Sequence, residues 1–95
     1  MKIYLLKRAR RDLSEIWQYI ATDDAKAADK QQDELLKAIS RLAAQPGMGH
    51  RRSDVNDPRY QFWRVGSYLI AYRTHGNTLT VCRVVHGARD FRKLF

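Results

Sequence analysis

The sequence predicts an α+β fold, in which a helical hairpin packs on one face of a small, mainly antiparallel sheet. Three observations lead to this prediction. One strand-like segment precedes two amphipathic helical segments, three strand-like runs follow them, and short turns separate most neighbours. Segregated helices and strands are typical of α+β domains. The length of 95 residues predicts a single domain, residues 1–95.

The first half of the sequence predicts a strand followed by two helices. Residues 2–6 are expected to form the strand, since Ile3 and Tyr4 favour extended backbone. The first helix is predicted from apolar residues that recur at helical spacing, namely Ala9, Leu13, Ile16, Trp17 and Ile20. Residues 22–24 interrupt the pattern and offer capping oxygens for the next helix. Because this connection is short, the helices should pack as an antiparallel hairpin.

The second helix is predicted over residues 25–44, where one face is apolar and the other alternates in charge. Its apolar face consists of Ala28, Leu35, Leu36, Ile39, Leu42 and Ala43. The helix should end before Pro46 and Gly47, since proline interrupts helical hydrogen bonding. A loop over residues 47–58 is expected to follow.

The second half predicts three strands, at residues 59–65, 68–74 and 79–86. Glycine-containing turns at Gly66 and Gly76 separate them, as in antiparallel hairpins. The first strand is expected to join the edge of this three-stranded meander, with the helical hairpin covering one face.

The charge is large and unevenly distributed. The net charge is +8, and residues 46–95 carry nine Lys or Arg against three Asp. Such a distribution indicates a polyanionic or acidic partner. The alternative is that the arginines merely keep a small domain soluble.

Several classes of chemistry are missing from the sequence. No Ser-His-Asp arrangement, acidic dyad or glycine-rich phosphate loop is present. Cys82 is the single cysteine, and the three histidines are scattered, so neither a disulfide nor a metal site is predicted. The first apolar run has four residues, too few for a signal peptide or membrane span. We therefore expect a cytoplasmic protein with no membrane contact, no cofactor and no catalytic residue.

The basic residues of the predicted strands are the first binding candidates. They are Arg64, Arg73, Arg83, His86 and Arg89. Arginines on one sheet surface could bind phosphates or carboxylates, but strand register decides whether they gather there. Asp54 and Asp57 are interpreted as turn residues, and the acids of the helices as surface charge. The aromatics are interpreted mainly as core, including Trp17, Tyr60, Phe62, Trp63, Tyr68 and Tyr72, although those of the strands could also stack on bases.

Four segments together resemble the ParE-type toxins of the RelE/ParE toxin–antitoxin superfamily. The first helix carries Ala9-x-x-Asp12-Leu13-x-x-Ile16-Trp17-x-Tyr19-Ile20-Ala21, and the end of the second carries Leu42-Ala43-x-x-Pro46-x-Met48-Gly49. The strands and tail carry Gly66-Ser67-Tyr68-Leu69-Ile70-x-Tyr72-Arg73 and Arg83-Val84-Val85-His86-Gly87-Ala88-Arg89-Asp90. The resemblance covers nearly the whole chain in the right order.

This resemblance implies the RelE/ParE toxin fold and a partner, a ParD-like antitoxin that wraps and neutralises the toxin in a hetero-oligomer. It also implies one of two activities. RelE-type members cleave messenger RNA on the ribosome, whereas ParE-type members poison DNA gyrase. The arginine of the RelE-type glycine-aromatic strand corresponds here to Leu69, their lysine pair lies near Tyr60 and Phe62, and the tail has no tyrosine. The resemblance therefore favours gyrase inhibition, with DNA contacted only indirectly.

The resemblance and the basic tail together give two sets of site residues. The set predicted to bind the target is Arg64, Arg73, Arg83, His86, Arg89, Asp90, Phe91, Arg92, Lys93 and Phe95. The set predicted to bind the antitoxin is Leu13, Trp17, Tyr19 and Ile20. Two alternatives stay open: a ribosome-dependent ribonuclease that uses the arginines and His86, and a basic nucleic-acid-binding module.

Overall fold

A computed structural model of the chain describes residues 1–88. The elements are β1 (Lys2–Leu5), α1 (Lys7–Ala21), α2 (Ala25–Ala44), a 3-10 turn (Pro46–Met48), β2 (Gln61–Val65), β3 (Tyr68–His75) and β4 (Thr78–His86). The strands form one sheet in the order β1-β4-β3-β2. Strand β1 is parallel to β4, and the other pairs are antiparallel. The predicted α+β fold and the edge position of the first strand are confirmed.

The boundaries of α2 follow from the residues at its two ends. The Asp24 carboxylate accepts hydrogen bonds from the backbone amides of Lys26 and Ala27, at 3.0 and 3.1 Å. Two otherwise unsatisfied amides of the first turn are therefore paired, as expected of an N-cap. At the other end of α2, Gln45 is the C-cap and Pro46 begins the 3-10 turn that follows it. The predicted range of 25–44 is correct for this reason.

Strand β2 begins at Gln61, two residues later than predicted. Asp57 holds the preceding segment in a turn, since its carboxylate accepts a hydrogen bond from the backbone amide of Arg59 at 3.0 Å. Its carbonyl accepts another from the amide of Tyr60. Because of these bonds, the backbone of residues 59 and 60 forms a turn, and pairing with β3 begins only at Gln61.

The sheet has a hydrophobic cluster on each face. The larger cluster lies between the helices and the sheet and includes Leu13, Leu35, Leu42, Ile70, Tyr72 and Val81. The smaller one lies on the face turned away from the helices, which we call the open face, and includes Phe62, Leu69, Ala71 and Val85. Val55 and Tyr60 of the preceding loop pack against this second cluster.

Tyr72 ties the sheet to the turn that follows α2. Its hydroxyl donates to the carbonyl of Pro46 at 2.6 Å and accepts from the amide of Gly49 at 3.0 Å. A Cβ atom at Gly49 would overlap this hydroxyl and lie 2.8 Å from ring carbons of Tyr72. The Pro46-x-Met48-Gly49 segment is therefore shaped around a buried tyrosine, which gives it a structural role.

Replacing Gly49 with alanine is expected to lower the free energy of unfolding by about 1–3 kcal/mol, because the added methyl group displaces Tyr72 from its hydrogen bonds. Urea unfolding followed by circular dichroism measures the change. Gly47→Ala is the matched control, since nothing lies within 4 Å of a Cβ at that position. Equal stability of the two variants would contradict the packing argument.

Candidate functional site: a groove beside helix α1

A groove of about 720 Å³ runs between α1 and the adjoining ends of β3 and β4. Its walls combine apolar side chains with a few charged groups. The lining residues are Asp12, Glu15, Ile16, Tyr19, Ile20, Gln31, Ser67, Tyr68, Arg83, Val84, Val85, His86 and Ala88. Mixed apolar and polar lining of this size is typical of a binding site.

An irregularity in β4 shapes the wall of the groove. Ala71 pairs with Arg83, whereas the next residue, Tyr72, pairs with Val81, so Cys82 is an extra residue in β4. A bulge of this kind changes the direction of the side chains that follow it. Arg83 lies opposite Ala71, whose side chain is on the open face, so regular pairing would place Arg83 on that face too. Next to the bulge, its side chain instead reaches α1.

The Arg83 side chain binds the carboxylate of Asp12 in α1. This carboxylate accepts hydrogen bonds from Arg83 Nε at 2.8 Å, from an Arg83 terminal nitrogen at 3.2 Å, and from the amide of Val84 at 3.0 Å. The side chain of Asp12 is only 5% exposed and that of Arg83 12%. The interpretation of the helix acids as surface charge is wrong for Asp12, which fixes the groove wall.

Asp12 is a site residue that neither predicted binding set contains, although its position in the sequence carries a signal. Together with Ala9, Leu13 and Ile16, it occupies positions i, i+3, i+4 and i+7 of one helical face. An acid inside an apolar stripe predicts a buried charge with a partner. The identity of that partner depends on the bulge, which the sequence does not reveal.

The four residues predicted to bind the antitoxin fall into three environments. Tyr19 and Ile20 line the groove, and Tyr19 is 79% exposed at its rim. Leu13 is buried in the core. Trp17 is half-buried and donates a hydrogen bond from Nε1 to Asp29 at 2.8 Å, so it links α1 to α2.

The three strand arginines within residues 1–88 do not form one cluster. Arg83 is bound to Asp12, whereas Arg64 and Arg73 lie on the open face. Arg64 of β2 lies opposite Leu69 of β3, and Arg73 lies four residues further along β3. At the usual rise per strand residue, the backbones of Arg64 and Arg73 are therefore roughly 13 Å apart. The guanidinium of Arg73 lies 6.0 Å from the centre of the Tyr60 ring. A joint anion site of all three arginines is therefore not formed.

Arg64 and His86 lie at the end of the sheet from which the tail departs. Arg64 donates to the carbonyl of Gly66 at 3.1 Å, and a Cβ at Gly87 would be 3.0 Å from its guanidinium. The exposed His86 ring packs edge-on against Tyr68, with centroids 5.6 Å apart. Its Nδ1 accepts from the amide of Ala88 at 3.1 Å. Predicted tail residues Arg89, Asp90, Phe91, Arg92, Lys93 and Phe95 lie outside the described residues.

The loop before β2 contains two local ion pairs, and it confirms the turn role of Asp57. Arg52 donates two hydrogen bonds to Asp54, both at 2.9 Å, and Arg59 binds Asp57 with its shortest contact at 2.7 Å. Hydrogen bonds from the Arg59 side chain and amide lower the pKa of Asp57 to about 2. These acids neutralise Arg52 and Arg59 locally, which reduces the charge that this loop offers to an anionic partner.

The Asp57 carboxyl is expected to titrate with a midpoint of about 2 in the folded protein, which NMR of its carboxyl carbon measures. A pKa lowered by folding means that the pair stabilises the protein above the unfolded pKa. This contribution is lost as the pH falls from about 4 to about 2. In Arg59→Ala, the midpoint should rise towards 3.8. An unchanged midpoint in that variant would contradict the assigned cause.

The described residues offer little for chemistry beyond binding. Within residues 1–88, no group of three His, Cys, Asp or Glu side chains could hold a metal ion. Burial raises the pKa of the Cys82 thiol, which makes the thiolate less accessible. Neither α1 nor α2 is both long and apolar enough to cross a membrane.

Comparisons with known proteins agree with this architecture. Residues 3–91 match the family model of the ParE toxin of type II toxin–antitoxin systems, parDE. Toxin RelE3 of Caulobacter vibrioides is 28% identical over 79 residues, which cover 83% of this chain and 86% of that protein.

Two solved structures share the fold. A chain of the chromosomal ParDE system from P. aeruginosa has a TM-score of 0.75 at 17% identity, covering 90% of this chain and 95% of that one. A chain of the toxin–antitoxin complex RelBE2 from Mycobacterium tuberculosis has a TM-score of 0.64 at 22% identity, with coverages of 93% and 92%.

Proposed function

Because this chain belongs to the ParE toxin family of type II toxin–antitoxin systems, we propose that it inhibits DNA gyrase by binding to it, without a catalytic step of its own. The observation that carries this proposal is the apolar character of the open face. Leu69 stands where the RelE-type resemblance would place an arginine, and it is 5% exposed beside Phe62 and Ala71. A surface that stabilises an RNA transition state needs several convergent cations.

Gyrase binding is assigned to the tail end of the sheet. Arg64 and His86 lie where the chain continues towards Arg89, and they surround the Gly87 position. Together with the basic and aromatic residues 89–95, they supply cations and rings for a protein–DNA complex. Arg73 adds charge from the open face, whereas Arg83 contributes by holding the groove wall.

The antitoxin is assigned to the groove. Tyr19 and Ile20 offer aromatic and aliphatic surface, and the groove lies beside an exposed helix face. An amphipathic segment of an antitoxin would bury these side chains as anchors. Leu13 and Trp17 support this surface from the core and from the contact between α1 and α2.

The second candidate is a ribosome-dependent ribonuclease, favoured by the likeness to Toxin RelE3. It would use Arg64, Arg73, Arg83, His86 and Arg89. Since Arg83 is bound to Asp12 and the backbones of Arg64 and Arg73 are roughly 13 Å apart, the three strand arginines do not gather at one point within the described residues. A basic nucleic-acid-binding module is less well supported, because local acids neutralise Arg52 and Arg59.

The test combines antitoxin-free protein with gyrase, ATP and relaxed plasmid, and analyses the DNA after the gyrase is denatured. We expect less supercoiling and more linear DNA. Arg89→Ala should abolish the effect, and Arg41→Ala, on the exposed side of α2, is the matched control. Normal supercoiling with folded protein would refute the proposal. Cleavage of a ribosome-bound message in a parallel reaction would then establish the ribonuclease.

A further inference from the structure

The two helices differ in the charge of their exposed faces. The exposed face of α2 alternates in sign, and there Lys37 binds Asp33 at 2.9 Å. The exposed side of α1 that lies opposite the buried Ala9 and Leu13 contains no acid. At 3.6 residues per turn, its side chains fall within about 100° of arc around the helix. We call them the α1 stripe, and they are Lys7, Arg10, Arg11, Ser14 and Gln18.

The three cations of the α1 stripe have no acid to neutralise them. Within residues 1–88 they form no ion pair, whereas the neighbouring Arg8 lies 3.6 Å from Asp12. The first turn of α1 has no acidic residue, and its N-cap, Leu6, makes no side-chain cap. Positive charge at the start of a helix opposes the macrodipole, so these cations cost stability. Residues that work against the fold in this way are expected at functional sites.

The composition of the stripe selects the phosphate backbone of a duplex as the partner. Gln18 donates a hydrogen bond to Ser14 at 3.3 Å, which holds an amide and a hydroxyl side by side next to the cations. Such groups bind DNA phosphates as Lys and Arg do. Duplex DNA carries about one charge per 1.7 Å of its axis, so several phosphates lie within reach of Lys7 and Arg11, which are about 6 Å apart along the helix.

Two other kinds of partner fit the stripe less well. None of its five residues is aromatic, so none could stack on an unpaired base of a single strand. None is apolar either, whereas a helix that lies on a membrane surface inserts an apolar face beside its cations. A duplex backbone needs only the charges and polar donors that the stripe presents.

We propose that the α1 stripe binds the phosphate backbone of duplex DNA without reading its sequence. The contact goes beyond gyrase binding, because none of the five residues lines the groove or belongs to either predicted binding set. The choice of DNA over duplex RNA rests on the proposed function, since gyrase acts on DNA. The stripe adds a direct contact to the indirect one that the family resemblance implies.

The test measures the affinity of the full chain for a fluorescent duplex of about 20 base pairs, at about 50–200 mM salt and without gyrase. In Lys7→Gln/Arg10→Gln/Arg11→Gln, affinity at the lowest salt should fall at least about tenfold. The slope of log K against log salt should become shallower by about 2.7, since each phosphate contact contributes about 0.9. Glutamine is a good helix former, so the fold should be retained.

The matched control removes the same number of charges from the exposed face of α2. The variant Lys26→Gln/Lys30→Gln/Lys37→Gln should lose less than about threefold in affinity, because these lysines alternate with acids. Equal losses in the two triple variants would show that net charge alone acts, and would overturn the proposal. An unchanged salt slope in the α1 variant would overturn it as well.

NMR of backbone amides locates the contact on the unaltered chain, so the test does not depend on the folding of a variant. Addition of the duplex should cause saturable shifts centred on residues 7–18. Shifts centred elsewhere would overturn the proposal. Tighter binding of the stripe to duplex RNA, polyglutamate or anionic phospholipid vesicles than to the DNA duplex would also overturn it. Because gyrase is absent, either result leaves the outcome of the supercoiling test independent.

Discussion

Replacing Asp12 with alanine is expected to lower the free energy of unfolding by about 3–5 kcal/mol, because it leaves the Arg83 charge buried without its partner. The same substitution leaves the amide of Val84 without its acceptor, which adds to the cost. Domains of this size have a total stability of about 5–15 kcal/mol, so the loss is a large fraction of it. Urea unfolding followed by circular dichroism and tryptophan fluorescence measures the change.

Two further variants separate the buried pair from ion pairs in general. Asp33→Ala breaks the exposed pair between Asp33 and Lys37, whose side chains are 62% and 74% exposed, and it should change stability little. The double variant Asp12→Leu/Arg83→Leu removes both buried charges and should be more stable than Asp12→Ala. A loss below about 1 kcal/mol in Asp12→Ala would refute the role assigned to the pair.

The elements of the fold were predictable where local chemistry determines them. Asp24 and Pro46 define the ends of α2 through capping and ring geometry, and both signals are visible in the sequence. The start of β2 was predicted two residues early, because Asp57 captures the amide of Arg59 in a turn. A turn of this kind competes with strand propensity on nearly equal terms, so periodicity alone does not decide between them.

The candidate site was predictable only in part, because it depends on long-range register. The extra residue Cys82 turns Arg83 towards α1, and no local signal marks a bulge there. The separation of Arg64 and Arg73 is set by the β2–β3 pairing in the same way. Tyr19 and Ile20 were named as antitoxin-binding residues through the family resemblance, but only the packing of α1 shows that they line a groove while Leu13 is enclosed.

Replacing Tyr19 with alanine is expected to weaken antitoxin binding about 30-fold, equivalent to about 2 kcal/mol. The ring is 79% exposed in the free protein, so a partner in the groove would bury most of it. The same exposure means that the substitution should leave unfolding nearly unchanged. Isothermal titration calorimetry with the cognate antitoxin measures the affinity, and urea unfolding measures the stability.

The controls for Tyr19 distinguish a groove anchor from general surface hydrophobicity and from core damage. Leu36→Ala removes an apolar side chain that is 45% exposed on α2 and does not line the groove, so antitoxin affinity should not change. Trp17→Ala breaks the hydrogen bond to Asp29 and should lower stability as well as affinity, because it loosens the contact between α1 and α2. If Tyr19→Ala binds the antitoxin as tightly as Leu36→Ala, the groove is not the antitoxin site. An affinity loss without a stability loss in Tyr19→Ala places a binding anchor on α1 next to the wall that Asp12 and Arg83 hold.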